Sequence, residues 1–317
     1  MSVYVVSDPA LNQGDLLTRL IIGIPTRNRP EQLRSTLISI SRLKHSPEVI
    51  FVCDSSDSAQ HERVKKICND SDVPTILIQS EKASIPFQRN RIVEFALKSE
   101  DPFDFLLFLD DDTEPDHLYS QLLLNFLVQN PNYGGACGVT QMQKRSRIAD
   151  LFGTLFLVNG KPGSVLHSGV GIPPNRELTE GSDTQWIFGC SIWRRNVLVE
   201  TKWNESWEGY AAGEDVYFSF SVSKNWQLRV LPMAKIINSC EEEGRPTSLQ
   251  LARMMVNHRW EIAQLHNRKK IFLLICVVWS VIGEIGFCLL KAVTKMDFDQ
   301  TKAIKGYLLG LSDILSF

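Results

Sequence analysis

The stretch FLLFLDDDTEPD (Phe105–Asp116) sets three adjacent carboxylates, Asp110, Asp111 and Asp112, directly after five apolar residues. Like charges side by side repel unless something positive sits among them. Two readings are open. Hard divalent cations such as Mg2+ or Mn2+ take oxygen ligands, and Mg2+ binds one or two carboxylates while substrate phosphate and water complete its shell. If extended backbone continues through the cluster, Asp110 and Asp112 share a face and Asp111 points the other way. The other reading is a solvated acidic turn leading into a helix, whose N-terminus favours negative charge.

A second acidic pair, Glu214–Asp215, follows Gly213 and precedes VYFSFSV, whose spacing suits a helix. A carboxylate there is either a helix cap or a general base that takes a proton from an attacking hydroxyl. Trp203, Trp207, Tyr210 and Trp226 lie nearby. They form either a platform on which a sugar stacks or part of the core, the commoner place for aromatics.

The elements that must position these residues follow from periodicity. RLIIGIPT, PEVIFVCDSSDS, PTILIQS and FDFLLFLDDD read as strands, and GGACGVTQM as a fifth. Between them, RPEQLRSTLISISRL, HERVKKICND, PFQRNRIVEFALKS and HLYSQLLLNFLVQN repeat apolar residues at helical spacing. Strand–helix alternation predicts an α/β fold with a mainly parallel, Rossmann-like sheet and helices on both faces. Ligands of such sheets bind outside the carboxyl ends of the strands, where Thr26, Asp54 and Asp110–Asp112 all fall. Residues 143–185, rich in Gly, Pro and charge, read as irregular, with a long loop over Gly160–Asp183.

Composition narrows the class. The 317 residues are 44% apolar and 22% charged, with a net charge of −2, so a large core forms and no basic surface marks a nucleic-acid partner. Seven scattered cysteines, without a Cys-x-x-Cys pair, point to a reducing compartment and against a disulfide framework or structural zinc. The N-terminal MSVYVVSDPALNQGDLLTR carries no secretory pattern. From about residue 246 the chain reads as helical, and Ile271–Val293 is apolar apart from Glu284 and Lys291, preceded by the basic HNRKK. Such a run is long enough to cross a bilayer, to lie along its surface or to pack as a core helix. Glu284 in its middle counts against a simple span.

Taken together, IGIPTRNRPEQLRSTLISI, VCDSSDS, QRNRIVEFA, FLLFLDDDTEPD, FGCSIWRRNVL and WEGYAAGEDVYFS, in this order over roughly residues 20–230, resemble the family-2 glycosyltransferases of the GT-A fold. The resemblance implies inverting transfer of a sugar from a nucleotide-diphosphate donor to an acceptor hydroxyl, with a divalent metal, Mg2+ or Mn2+. It assigns Pro25, Thr26 and Arg27 to the nucleoside, Asp54 to the base or ribose, and Arg89 and Asn90 to the nucleotide and sugar. Asp110 and Asp112 match the Asp-x-Asp metal motif, with Asp112 favoured as the direct ligand and Asp111 counted with the donor site. Asp215 matches the catalytic base and Glu214 its acidic neighbour, while Gly189, Cys190 and Trp207 fall on the sugar and acceptor side.

Two departures qualify the match. The second motif reads Asp-Ser-Ser-Asp where many members carry adjacent acids. Processive members carry Gln-x-x-Arg-Trp, whereas MVNHRWE has Val256 in place of the glutamine, which implies single-sugar transfer. His258 and Arg259 in that segment either touch a phosphate of donor or acceptor, or lie on a helix surface. The expected organisation is a catalytic domain over 1–245 and a helical, membrane-associating region over 246–317. The expected setting is the cytoplasmic side of the cell membrane, acting on a glycan or lipid-linked acceptor in surface polysaccharide or glycolipid synthesis. A different class, a catalytically silent nucleotide-sugar-binding scaffold, would have no need of Asp110, Asp112 and Asp215 together. A nucleotidyltransferase would carry a Gly-rich loop after the first strand, and IPTRNRPE has no glycine there.

Overall fold

The structure, a computed structural model, describes residues 18–99, 102–139, 147–174, 180–238, 246–295, 297 and 299–316. Four strands form the parallel half of the sheet: β1 (Leu20–Thr26), β2 (Ile50–Asp54), β3 (Thr75–Gln79) and β4 (Phe105–Phe108), in the order β3-β2-β1-β4. Helices α1 (Pro30–Ile40), α2 (Ser58–Asn69) and α3 (Ile85–Lys98) connect them. β1 is buried along its whole length, as expected of a central strand covered on both faces. Its residues alternate between two cores. Leu20, Ile22 and Ile24 pack with Leu33 and Leu37 of α1, while Ile21 packs with Ile92 and Val93 of α3.

The helix starts carry their own signals. Pro30 opens α1 at a position where a missing N–H costs nothing. Asp57 caps α2 by accepting the Gln60 N–H, and Ser84 caps α3 by accepting that of Phe87. In β1, a Cβ on Gly23 would lie 2.8 Å from Ile92 and 2.9 Å from Phe108, so glycine lets α3 settle onto the sheet.

Beyond β4 the sheet is mixed. The short β5 (Thr113–Pro115) and helix α4 (Tyr119–Gln129) lead to β6 (Tyr133–Val139), then α5 (Arg147–Leu155), β7 (Ser182–Thr184), β8 (Ser191–Arg194), α6 (Arg195–Glu200), α7 (Glu214–Val222) and β9 (Gln227–Asn238). β8 runs antiparallel between β4 and β6, β6 pairs parallel with β9, and β5 and β7 pair antiparallel with β9. Two expectations change. The strand leading to the aspartates stops at Phe108, and α5 occupies part of the stretch read as irregular. Thr140–Met142 of the fifth predicted strand and residues 175–179 of the long loop lie outside the described residues, as does most of the N-terminal segment read for a leader.

Three helices follow: α8 (Ser248–Gln264), α9 (Lys270–Lys295) and α10 (Asp299–Leu315). Thr247 and Gln250 form a reciprocal capping box at the start of α8. The three share their own core, with Val256, Leu273, Val277, Val281 and Ile314 buried. The expected division at 245/246 falls at the edge of residues 239–245, outside the described residues.

Candidate active site

The ends of β1 and β4, the start of α3 and the loop before α7 surround a cavity of about 560 Å3. Pro25, Thr26, Arg27, Arg89, Asp110, Asp111, Asp112, Gly189, Glu214 and Asp215, ten of the residues singled out in the sequence, line it. The three aspartates take different surroundings because the chain turns where the strand ends. Thr36 of α1 pins that turn, its hydroxyl donating to the carbonyls of Asp111 (2.8 Å) and Thr113 (3.0 Å).

Two arginines supply the positive charge that the aspartates require. Arg29 Nη1 lies 3.4 Å from Asp111 Oδ1 and 3.2 Å from Asp112 Oδ2. Arg89 reaches Asp110 Oδ1 with Nη2 (3.3 Å), the Gly189 carbonyl with Nη1 (3.0 Å), and lies with Nε 3.3 Å from Glu214 Oε1. Asp111 is buried, accepts the Thr26 hydroxyl at 2.7 Å, and is pushed up to about 7 by that burial, against the pull of Thr26 and Arg29. It therefore braces β1 against the turn. The Asp110 side chain is 41% exposed and open to the cavity, with Cys190 Sγ behind it at 3.6 Å.

The opposite wall is the 209–213 loop and the start of α7. Gly209, Ala211 and Gly213 all adopt left-handed backbone, a conformation that costs a residue with a side chain about 1–2 kcal/mol. The loop is held open in this shape from two sides. Ser84 and Ala83 bond the Trp207 carbonyl and the Gly209 N–H, and on the far side His258 Nδ1 lies 2.8 Å from the Ala212 carbonyl. The loop delivers Glu214 and Asp215 as the first two residues of α7. Burial raises both carboxyls above their ordinary range, Arg89 pulls both back down, and nearby acids add to the rise. Glu214 Oε2 is buried without a hydrogen-bond partner.

Six expected site residues do not line the cavity. Asp54 is fully buried, with Oδ1 held by Ser56 and Oδ2 2.6 Å from His61 Nδ1, so it fixes the β2–α2 turn. Asn90 donates to the Trp203 carbonyl and to Glu205, joining α3 to the chain before α7. Cys190 lies behind Asp110. Trp207 is buried, stacked on His258 at 3.6 Å, with its indole N–H on Glu261. His258 is thus buried rather than on a helix surface, and burial lowers it to about 4, leaving it neutral. Arg259 is buried against Glu284, 3.0 Å away. Trp207 and His258 share one reason, the packing of α8 against the loop that closes the cavity, whereas Arg259 pairs with α9. Of the candidate aromatics, Trp203 and Trp207 are core and Tyr210 faces the cavity.

Arg29, Gln88 and, in the cavity loop, Gly209, Ala211 and Ala212 were not singled out. Gln88 donates to the Thr26 and Cys53 carbonyls, fixing the ends of β1 and β2 together. Gly189 is a steric requirement, since a Cβ there would lie 2.8 Å from Arg89 Nη2. Gly189→Ala is expected to push the guanidinium off Asp110, lowering kcat/KM about tenfold and stability by about 1–3 kcal/mol, read from steady-state kinetics and a thermal melt.

Among the described residues no three His, Cys, Asp or Glu side chains gather into a metal cage. Asp110 and Asp112 nonetheless fit a cation that takes two protein carboxylates and completes its shell from phosphate: both reach the cavity, and Asp110 has an open face.

Residues 21–162 match glycosyl transferase family 2. No curated protein matches the sequence. Among solved structures, the mannosyltransferase PcManGT from Pyrobaculum calidifontis, in complex with GDP-Man and Mn2+, is similar with a TM-score of 0.57 and 12% identity, over 93% of this chain and 86% of that one. S. aureus TarS 1–349 is similar with a TM-score of 0.54 and 12% identity, over 94% and 82%. At that identity the two share the fold with this chain. The chain thus carries a glycosyl transferase family 2 domain over residues 21–162, and that domain, on a GT-A sheet with acidic groups on facing walls of one cavity, marks it as a glycosyltransferase.

Proposed function

We propose that the protein transfers a single sugar, with inversion, from a nucleotide-diphosphate donor to an acceptor hydroxyl presented at the cytoplasmic face of a membrane, in surface polysaccharide or glycolipid synthesis. The observation that carries this reading is that Asp110–Asp112 and Asp215 line one cavity from different elements, β4's end and α7's start. Arg27 and Arg29 at the end of β1 offer positive charge for a diphosphate. Asp110 and Asp112 would hold Mg2+ or Mn2+, which when bound supplies Lewis-acid stabilisation of the departing diphosphate. Asp215 takes the acceptor proton, and its raised proton affinity suits a base working near neutral pH. Attack from the side opposite the leaving group inverts the anomeric carbon without a covalent intermediate. Glu214 and Arg89 hold the charge balance around that base. Six free, buried cysteines among the described residues agree with a reducing setting.

The test is a thermal-shift panel of UDP-, GDP- and dTDP-sugars, each with and without Mn2+. A ligand selective for the folded state stabilises it by about 2.7 kcal/mol at 100 times its Kd. One nucleotide is expected to give a shift that Mn2+ enlarges, and Asp112→Asn to abolish the metal-dependent part. Absence of any donor shift would count against both the transferase and a nucleotide-sugar-binding scaffold, whereas a donor shift without turnover would favour the scaffold.

A further inference from the structure

Helix α9 has two apolar sides, and among the described residues one is packed into the core while the other is largely exposed. Its 26 residues are about 39 Å long at 1.5 Å per residue. Leu273, Val277 and Val281 are buried against α8 and α10. Glu284 belongs to this inner side: Arg259 Nη2 lies 3.0 Å away and the Tyr307 hydroxyl bonds the same carboxylate. The charge that interrupts the apolar run is therefore kept inside the protein.

The other side is a single stripe. Ile271, Ile275, Trp279, Ile282, Leu289 and Val293 are all exposed, between 41% and 79%. At about 100° per residue they fall within one third of the helix circumference. Leu151 and Leu155 of α5, 76% and 63% exposed, extend it sideways. α5 is fastened there: the Phe156 ring stacks on Trp279 at 5.0 Å, and Trp279 Nε1 donates to the Leu155 carbonyl. Gly283 admits Phe156, whose Cβ would be 2.3 Å from a Cβ at that position. No acidic residue stands in the stripe, and exposed Arg268, Lys269 and Lys270 precede its start.

We propose that α9 and α5 lie in the plane of a membrane, with this stripe in the headgroup–acyl boundary and Arg268–Lys270 on anionic phospholipid headgroups. The inference takes its setting from the membrane-face acceptor proposed above, but its evidence is independent of the transfer chemistry. An in-plane helix needs an apolar side and a basic rim. A spanning helix would have to withdraw Leu273, Val277 and the Glu284–Arg259 pair from the core that holds α8 to α10. Because α8 also braces the cavity loop through His258 and Trp207, the docked surface and the cavity are built on one rigid support.

The test is flotation of the full chain with phosphatidylcholine vesicles, with and without phosphatidylglycerol. The chain is expected to float with the anionic vesicles. Ile275→Glu with Ile282→Glu, both at exposed positions, is expected to weaken partitioning at least about tenfold per substitution, and Lys269→Glu with Lys270→Glu about fivefold per lost charge. The double isoleucine variant should keep the wild-type melting temperature and donor shift, which separates loss of membrane docking from loss of the transferase site. Unchanged flotation of that variant overturns the proposal. So does a C-terminal epitope protected from protease in inverted membrane vesicles, which means a span. Absence of flotation, with a dimer that the isoleucine changes split, assigns the stripe to a second copy instead.

Discussion

Asp215→Asn is expected to lower transfer by about 10²–10⁴-fold, the range general-base catalysis supplies, while donor binding changes little. The substitution keeps shape, and the amide oxygen can still accept the Val216 N–H that now bonds Oδ1 at 2.8 Å. What is lost is the capacity to take a proton. A single-turnover assay beside the donor thermal shift separates the two effects, and near-normal turnover would remove Asp215 from the mechanism.

The pH profile provides a second readout. Burial raises the Asp215 and Glu214 carboxyls, with Arg89 opposing. A base must be ionised, so activity should fall as pH drops through the mildly acidic range rather than near the ordinary carboxylate value of about 4. Stability moves the other way. A carboxyl whose folded pKa is raised contributes stability below its unfolded pKa and loses it as pH rises through the folded one. Asp215→Asn should therefore raise the melting temperature of the ligand-free protein more at pH 8 than at pH 5.

How much of this was readable in the sequence depends on how far each residue's partner lies along the chain. The apolar run into Asp110 and the Gly213–Asp215 step before a helix are local patterns, and both lead to the cavity. β1 to β4 and α1 to α4 follow from local periodicity in the same way. β5, β7 and the antiparallel seat of β8 do not, because three or four residues make a strand only when β9 or β4 lies beside them. Trp207, His258 and Arg259 look like ligand groups as residue types. The burial of Trp207 and His258 comes from α8 packing on the 203–213 loop, a contact between segments about fifty residues apart, and Arg259 turns instead to Glu284 of α9. Arg29 is the reverse case: nothing in PTRNRP distinguishes it from a solvated arginine until the turn brings Asp111 and Asp112 to it.

Arg89→Met is expected to destabilise the ligand-free protein by about 3–5 kcal/mol, the usual cost of leaving a buried charge without its partner. Arg89 is 2% exposed, its guanidinium lies 4.9 Å from the Phe108 ring centroid, and it stands between Asp110 and Glu214. Burial alone would lower its proton affinity, but the carboxylates more than offset this and hold it charged. Methionine fills much of the same volume, so the loss should be electrostatic rather than a cavity effect. Two results would distinguish these. The deficit should shrink as pH falls and Glu214 and Asp215 take protons, and Arg89→Met with Glu214→Gln should recover part of the stability in a double-mutant cycle. A cavity effect would show neither. The same substitution removes the charge that pulls Asp215 down, so the acid limb of the activity profile should move to higher pH in whatever turnover remains. Arg89→Lys restores a charge without the fork that reaches Asp110, Gly189 and Glu214 together. It should regain stability ahead of activity, because one ammonium can balance the buried acids but cannot hold both walls of the cavity in register.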